Sequence, residues 1–184
     1  MFSRCKFTAT TDLNKNEMSA MPNIAIRPAR ATDIPTILAM VAELAEFERA
    51  AAEAVATVND FESALFGENP AVFALLAEVD GQSAGFALYF KNFSTWLGKH
   101  GLYLEDLYVR PEFRGGGIGQ GLLSHLAQVC VDNGYPRCEW QVLDWNESAR
   151  TVYDQVGAQA RTEWIPYRVS GGALIELADK AQQS

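Results

Sequence analysis

The stretch Val109-Arg-Pro-Glu-Phe-Arg-Gly-Gly-Gly-Ile-Gly119 decides how this chain folds. The residues before it, Leu102–Val109, read as a strand, and a helical pattern begins at about Gly117. A strand that runs through a glycine-rich turn into a helix points several backbone N–H groups at one spot, where the helix dipole adds positive potential. Such glycines let a phosphate approach the backbone, and Arg114 adds a cation. The stretch predicts a pyrophosphate cradle rather than a plain turn, and therefore an enzyme that holds a phosphorylated cofactor.

Two other phosphate loops do not fit these residues. The P-loop requires G-x-x-x-x-G-K-[ST], and the chain contains no Gly-Lys-Ser/Thr. The dinucleotide fingerprint G-x-G-x-x-G also fits poorly. It requires that glycine spacing together with an acidic residue at the end of a following strand, and this chain does not provide the combination. The pattern that fits is Arg-x-x-Gly-x-Gly, formed by Arg114, Gly117 and Gly119.

Composition favours one globular domain. The chain has 184 residues, of which 48% are hydrophobic, and this suits a single sizeable core. Its net charge of −8 argues against nucleic acid or an anionic membrane surface as the main partner, and is compatible with a cationic substrate. No apolar run is long enough to span a bilayer. We expect no partnership with nucleic acid or membrane.

The cysteines and the N-terminal residues indicate where the protein works. The chain has three cysteines, Cys5, Cys130 and Cys138, an odd number at wide spacing. We therefore expect neither a disulfide framework nor a metal site. The same pattern favours a reduced, cytoplasmic setting. Residues 1–22 are polar and lack hydrophobic periodicity, which favours a disordered extension, or an upstream start codon, over a transit peptide. Residues 23–184 would then form the single domain.

Hydrophobic periodicity predicts an α/β fold with a mixed sheet flanked by helices. The predicted element order is β-α-α-β-β-β-α-β-α-β-β, with a hairpin at Asp80-Gly81 and the helix from Ile118 ending at Asn133-Gly134. Besides Leu102–Val109, the predicted strands are Ile24–Pro28, Val72–Val79, Ser83–Phe90, Arg137–Leu143, Ala158–Tyr167 and Ala173–Leu177. The other helices are predicted from Thr32 or Asp33, over Asn59–Phe66 and over Glu147–Val156.

The Arg-x-x-Gly-x-Gly pattern after Val109-Arg110-Pro111 resembles the acetyl-CoA loop of the GNAT superfamily of N-acetyltransferases. The predicted element order is similar to that fold as well, over about residues 24–178. Further stretches resemble the diamine acetyltransferase branch, which includes the spermidine/spermine and thialysine enzymes. They are Leu44-Ala-Glu-Phe-Glu48, Trp96-Leu-Gly-Lys99, Tyr103-Leu-Glu-Asp-Leu-Tyr-Val109 and Trp145-Asn-Glu147 with Val152-Tyr153. The resemblance implies acetyl-CoA as co-substrate, a small-molecule amine as acceptor, and a homodimer. We expect no metal, because the sequence contains no metal-ligand cluster.

Acetyl transfer to an amine requires a base, an oxyanion site and an acid. Glu105 is the first candidate for binding the amine or removing its proton, because it lies in the strand before the cradle and matches the family's glutamate. Regular strand alternation would put Asp106 on the other face, and it is the alternative. Tyr153 resembles the family's general acid, although a core tyrosine on a helix is the plainer interpretation. Backbone groups of Leu107 and Val109 would serve the thioester and the pantetheine arm.

The remaining site residues follow from the same resemblance. The cofactor would be held by Leu107, Val109, Arg114, Gly115, Gly116, Gly117, Ile118, Gly119, Asn146 and Tyr153. Asn146 could equally be only a helix N-cap. The acceptor would meet Glu48, Trp96, Glu105 and Asp106, with Glu46 and Glu53 as weaker candidates for an acidic cleft. Polyamine-acetylating relatives carry an aspartate two residues before the tryptophan, where this chain has Ser94. That departure leaves shorter diamines, lysine-like amino acids or thialysine open, alongside a protein acceptor or a non-catalytic acyl-CoA sensor.

Overall fold

The computed structural model describes residues 22–181, which form two compact units divided between Gln141 and Val142. Residues 1–21 of the predicted extension 1–22, with Cys5, lie outside the described residues. The first unit contains the sheet and three helices, and the second contains two further helices. Within residues 22–181, no helix is long and apolar enough to cross a membrane.

The sheet of the first unit has five strands in the order β1-β2-β3-β4-β5. β1 (Ile24–Pro28), β2 (Val72–Val79), β3 (Gln82–Ser94) and β4 (Lys99–Val109) run antiparallel to their neighbours. The short β5 (Cys138–Glu139) pairs in parallel with β4. The predicted mixed and mostly antiparallel sheet is therefore confirmed.

Two helices cover one face of this sheet. α1 (Ile34–Phe47) has a proline in its first turn, which suits a helix start. α2 (Val58–Phe66) begins with a capping box, in which Thr57 and Asp60 each accept a hydrogen bond from the other's backbone N–H at 3.3 and 2.8 Å. Each large apolar side chain buried beneath them stabilises the fold by about 1.5–3 kcal/mol. The buried cluster consists of Ile37, Met40, Leu65, Ala74, Leu76, Phe86, Leu88 and Tyr108.

α3 (Ile118–Asn133) lies against the opposite face. A Cβ built on Gly119 would lie 3.8 Å from the side chain of Leu107 and 3.9 Å from that of Val109. These two residues alternate with Tyr108, whose ring belongs to the cluster under α1. The helix ends at Gly134, whose φ of 65° closes it in the left-handed region, as the sequence predicts.

The central hairpin is longer than predicted. β3 continues past Phe90 to Ser94, and β4 begins at Lys99, because residues 91–94 pair with residues 99–102. Ser94 is buried, and its hydroxyl accepts a hydrogen bond from the Leu97 N–H at 3.3 Å. Ser94 is therefore part of the hairpin turn.

The last predicted strands are wrong. Only Cys138–Glu139 of the predicted strand Arg137–Leu143 pairs with β4, and no described residues of the range 158–170 form a strand. The predicted strand Ala173–Leu177 lies inside α5 (Gly171–Ala181). Its short apolar run is compatible with a strand, but the segment continues through Ala, Asp and Lys, and the Ala, Leu and Glu it contains are strong helix formers. α4 (Glu147–Gln155) confirms the predicted helix at that position.

Candidate active site

A β-bulge interrupts β4 at Glu105. Leu104 lies opposite Tyr89 and Asp106 lies opposite Leu88, so two neighbouring residues of β3 face three residues of β4. Glu105 is the extra residue, and it has no partner in the ladder. A bulge of this kind kinks the strand and changes which backbone groups point to each side.

The bulge turns the backbone of the next residues toward an open edge. Before it, the Leu102 N–H donates to the Arg137 carbonyl beside β5 at 3.0 Å. After it, the Arg110 N–H donates to the Ala84 carbonyl at 2.9 Å, so the opposed pair Gly85 and Val109 is of the non-hydrogen-bonded type.

It follows that Val109, and Leu107 two residues earlier, direct their N–H and C=O groups away from β3. On that side β5 pairs only with Leu102 and Tyr103, and no other strand within residues 22–181 pairs with β4 there. The end of β4 therefore directs hydrogen-bonding groups toward an edge without a partner strand, and of these the Val109 carbonyl accepts a hydrogen bond from Arg114 Nε at 2.9 Å.

Two neighbouring carboxyls of β4 differ in environment. Glu105 is exposed, whereas Asp106 is partly buried. Burial, followed by the negative charges of Glu105 and Glu48, raises the pKa of Asp106 to about 6. Burial also raises the pKa of Glu48, which follows the last residue of α1. Alternation cannot assign faces to Glu105 and Asp106, because the bulge interrupts it, and the structure places Asp106 in the less polar setting.

The glycine loop and the start of α3 lie where the cradle is predicted. Gly115 and Gly117 have φ of 80° and 81°, values that L side chains rarely adopt. A Cβ at either position would meet nothing within 4 Å, so the space in front of the loop is open. Gly117 precedes α3 without a side-chain cap, which leaves the first N–H groups of the helix for a ligand or solvent.

The side chain of Arg114 lies away from α3. Its Nε donates to the Val109 carbonyl at 2.9 Å. Its guanidinium lies 5.3 Å from the centroid of the Phe47 ring and 5.7 Å from that of Tyr108. Since Tyr108 faces α1, the guanidinium lies on the α1 side of β4. The expectation that this cation adds to the cradle stays a prediction.

A cleft of about 600 Å³ opens beside this arginine. Arg110 closes one side of it, because its guanidinium binds the Glu43 carboxylate at 2.9–3.2 Å and the Ser83 carbonyl at 3.1 Å. Glu43, Phe47, Tyr108 and Arg110 were not among the predicted site residues, and their spacing along the chain carries no signal of their proximity. The cleft is lined by Glu43, Glu46, Phe47, Tyr108, Arg110, Pro111, Glu112 and Arg114.

The structure brings some predicted acceptor residues together and separates others. Glu48 and Asp106 are close enough for the charge of one to affect the other. Trp96 is 87% exposed in the turn before β4. The 11 residues of β4 span about 35 Å, so within one chain Trp96 lies far from Val109 and Arg114.

The second unit holds the remaining two candidates. Asn146 is the N-cap of α4, and its Oδ1 accepts hydrogen bonds from the Ala149 N–H at 3.2 Å and the Ser148 hydroxyl at 3.1 Å. The helix-capping interpretation of Asn146 is thus confirmed. Tyr153 lies on the same helix and is half-buried, and its role as an acid stays a prediction.

Family, sequence and structure comparisons were made with known proteins. Residues 38–158 match the acetyltransferase (GNAT) family. The thialysine N-ε-acetyltransferase of Sus scrofa is 38% identical over 171 residues, which cover 87% of this chain and all of that protein. An L-ornithine N5-acetyltransferase of Arabidopsis thaliana is 33% identical over 194 residues, covering 81% of this chain and 85% of the relative. Among solved structures, an integron cassette protein from the mobile metagenome of V. cholerae has a TM-score of 0.71 at 26% identity, covering 84% of this chain and 97% of the other.

Proposed function

Because this chain belongs to the GNAT acetyltransferase family and is an N-acetyltransferase, we propose that it transfers the acetyl group of acetyl-CoA to the primary amine of a small cationic substrate. The amine attacks the thioester directly in this proposal. One observation carries it: the open edge of β4 after the bulge at Glu105 leads straight into the glycine loop before α3. A single strand end thus offers backbone groups to a thioester and backbone N–H groups to a pyrophosphate.

The proposed cofactor site is built mainly from backbone. The GNAT fold implies acetyl-CoA, and the residues present fit its two polar parts. The N–H groups at the start of α3, from Gly117 through Ile118 and Gly119, would bind the pyrophosphate, with Gly115 and Gly116 allowing close approach. The edge groups of Leu107 and Val109 would pair with the amides of the pantetheine arm. For Asn146, a part in holding the cofactor rests on the family resemblance alone.

The acceptor amine must lose a proton before it attacks. An alkyl amine has a pKa near 10.4, so only about one in a thousand is neutral at pH 7. We assign binding of the ammonium to Asp106, Glu105 and Glu48, since the negative charges of the last two act on the carboxyl of Asp106. A carboxyl of pKa about 6 accepts a proton near neutral pH better than an ordinary aspartate does, which supports Asp106 as the base, acting directly or through a water. Glu105, the first candidate from sequence, stays an alternative.

The two remaining steps concern the thioester. A backbone N–H at the open edge of β4, from Leu107 or Val109, would stabilise the tetrahedral oxyanion. Tyr153 would protonate the departing thiolate, since a phenol of pKa near 10 can donate to a thiolate of pKa near 8.5. Acetyl-CoA supplies the acyl group, and the product thiol leaves with that proton.

The names of the relatives narrow the acceptor class. Thialysine and ornithine both carry a side-chain amine and an α-amino acid group, and enzymes named for them match most of this chain. Ser94 stands where polyamine-acetylating relatives have an aspartate, and here it is buried in the hairpin turn. We therefore favour a diamino acid over spermidine or spermine. The homodimer implied by the family resemblance and the cytoplasmic setting expected from the sequence stay predictions.

The experiment is thiol release from acetyl-CoA with a set of acceptors: thialysine, lysine, ornithine, putrescine, spermidine and a short peptide. Faster release with thialysine or ornithine than with the other acceptors would support the proposal. Release with the peptide alone would move the function to a protein acetyltransferase. Binding of acetyl-CoA without release for any acceptor would favour the acyl-CoA sensor and contradict the proposal.

A further inference from the structure

We propose that Arg110 is a positioning residue for acetyl transfer, because its ion pair with Glu43 fixes the end of β4 at which the oxyanion would be stabilised. This inference rests on the proposed function, in which a backbone N–H of Leu107 or Val109 serves the thioester. Arg110 contacts neither the acyl group nor the amine in this account. It acts through the backbone that it holds, and it precedes the glycine loop proposed for the cofactor.

The end of β4 has a partner strand on one side only. Among the strands within residues 22–181, β3 is the one that pairs with residues 106–109, since β5 reaches only Leu102 and Tyr103. A segment with few such bonds opens more easily than one bonded along both edges. The N–H groups proposed for the thioester lie on the unpaired side. Because oxyanion stabilisation requires donors that are fixed before the reaction, this segment needs contacts from outside the ladder.

The guanidinium of Arg110 supplies such contacts. Its Nε and Nη2 atoms donate to the Glu43 carboxylate at 2.9–3.2 Å, and its Nη1 atom donates to the Ser83 carbonyl at 3.1 Å. Glu43 lies in α1 and Ser83 in β3, so one side chain joins the end of β4 to two other elements. The side chains of Arg110 and Glu43 are 26% and 36% exposed, which limits the screening of their pair by solvent. Arginine carries its donors in a planar fork that satisfies both partners at once, which lysine lacks.

The backbone of Arg110 is bonded at the same point. Its N–H donates to the Ala84 carbonyl at 2.9 Å. The neighbouring pair Gly85 and Val109 lies close, because a Cβ on Gly85 would be 2.5 Å from the Tyr108 carbonyl oxygen. Since Arg110 directly follows Val109 in the chain, a displacement of Arg110 would turn the Val109 N–H away from its position.

The helix proposed for the pyrophosphate has separate support. α3 lies against the other face of the sheet, and its side chains Ile118, Leu122 and Leu126 are buried. Loss of the pair between Arg110 and Glu43 should therefore displace the end of β4 more than the first turn of α3. A shift of about 1 Å at a reacting group can cost about 100-fold in rate. We expect the loss to appear in kcat rather than in the affinity for acetyl-CoA.

Arg27 offers a matched control elsewhere in the sheet. Its guanidinium donates to Asp33 at 2.6 and 3.1 Å and to Glu78 at 2.7 and 3.3 Å, and its side chain is 23% exposed. It lies in β1, which β2 and β3 separate from β4. Arg27→Lys thus removes a comparable arginine fork and leaves the end of β4 unchanged.

The test compares wild type with Arg110→Lys, Arg110→Gln, Glu43→Gln, the double variant Arg110→Gln/Glu43→Gln and the control Arg27→Lys. Thiol release with the fastest acceptor gives kcat and its pH profile, and calorimetry gives the affinity for acetyl-CoA. Hydrogen exchange of the Arg110 amide, which is bonded to the Ala84 carbonyl, reports opening of the strand end without any need for turnover.

We expect kcat to fall about tenfold or more in Arg110→Lys, with the affinity for acetyl-CoA within about threefold of wild type. The pH profile should keep its position, because lysine retains the charge and Arg110 transfers no proton. The double variant should lose no more than Arg110→Gln alone, since the two residues act as one unit. The Arg110 amide should exchange faster in Glu43→Gln than in wild type, whereas Arg27→Lys should retain both kcat and the exchange rate.

The outcomes separate this inference from the proposed function. Wild-type kcat in Arg110→Lys would overturn the inference, and so would a loss confined to acetyl-CoA affinity or an equal fall of kcat in Arg27→Lys. Absence of thiol release from wild type with every acceptor would contradict the proposed function instead. Hydrogen exchange would then still decide the role of Arg110, because an exchange rate that is the same in wild type and Glu43→Gln would show that the pair does not hold the end of β4.

Discussion

Replacing Asp106 by asparagine should stabilise the protein above pH 6 while slowing acetyl transfer. The folded-state pKa of Asp106 is raised to about 6, mainly by burial and then by the charges of Glu105 and Glu48. The folded protein therefore binds more protons than the unfolded chain between about pH 4 and pH 6. Stability is lost as the pH rises through this window, and the loss is complete above pH 7. Asparagine does not titrate, so the variant escapes this loss.

The size of the effect follows from the shift. A change from 3.8 to about 6 corresponds to about 3 kcal/mol at 1.36 kcal/mol per pKa unit. Solvent screening at a partly exposed carboxyl reduces this to about 1–2 kcal/mol. A chain of this size gains about 2–4 °C in Tm per kcal/mol, so Asp106→Asn should melt roughly 2–8 °C higher than wild type at pH 8. At pH 4 the two proteins should differ much less.

The assay is thermal unfolding of both proteins by circular dichroism from pH 4 to pH 8, read as the difference between them. Contributions from all other groups that titrate alike in both proteins cancel in this difference. Glu105→Gln serves as the matched control, because Glu105 is exposed but its charge raises the pKa of Asp106. That variant should show a smaller gain in stability at pH 8 than Asp106→Asn, because it removes only the repulsion between the two carboxylates and leaves the larger cause, the burial of charged Asp106, in place.

A flat difference between pH 4 and pH 7, or an Asp106→Asn protein less stable than wild type at pH 8, would refute this account of Asp106. The kinetic counterpart is the acid limb of kcat/KM. If Asp106 accepts the amine proton, the limb near pH 6 should disappear in Asp106→Asn together with most of the rate. Retention of both would return the role of base to Glu105.

Three further changes have expected outcomes. Gly117→Ala should lower the free energy of unfolding by about 1–2 kcal/mol, because a φ of 81° suits glycine, and it should weaken acetyl-CoA binding. Gly116→Ala should change the free energy of unfolding little. Equal unfolding midpoints in urea for the two variants would contradict the strain argument. Tyr153→Phe should lower kcat with little change in acetyl-CoA affinity, and an unchanged kcat in steady-state assays would remove it as the general acid. Thr57→Ala should destabilise the fold by about 1 kcal/mol, because the capping box with Asp60 is lost. Chemical denaturation measures this change, and an unchanged free energy of unfolding would mean that α2 does not depend on its cap.

Local signals predicted the parts of the fold that depend on neighbouring residues. Asp80-Gly81 adopts positive φ in the predicted hairpin, and Gly134 ends α3 where the sequence places its end. The strand, glycine loop and helix around Arg-x-x-Gly-x-Gly also follow from residues adjacent in the chain. The predictions of the C-terminal strands were wrong because a strand requires a partner, and the short apolar run of Ala173–Leu177 says nothing about whether one is available.

The sequence by itself determined the strand, glycine loop and helix on which the cradle is proposed, and the family, and it offered the candidate carboxyls for the base. Those properties reside in residue types at short, regular spacings. Only the tertiary structure decided that Glu105 is bulged, that Asp106 is the carboxyl with the raised pKa, and that Arg114 lies between Phe47 and Tyr108. The physical reason is that strand register, desolvation and the contacts of a long side chain are set by residues distant along the chain. No spacing within a single strand or helix encodes them.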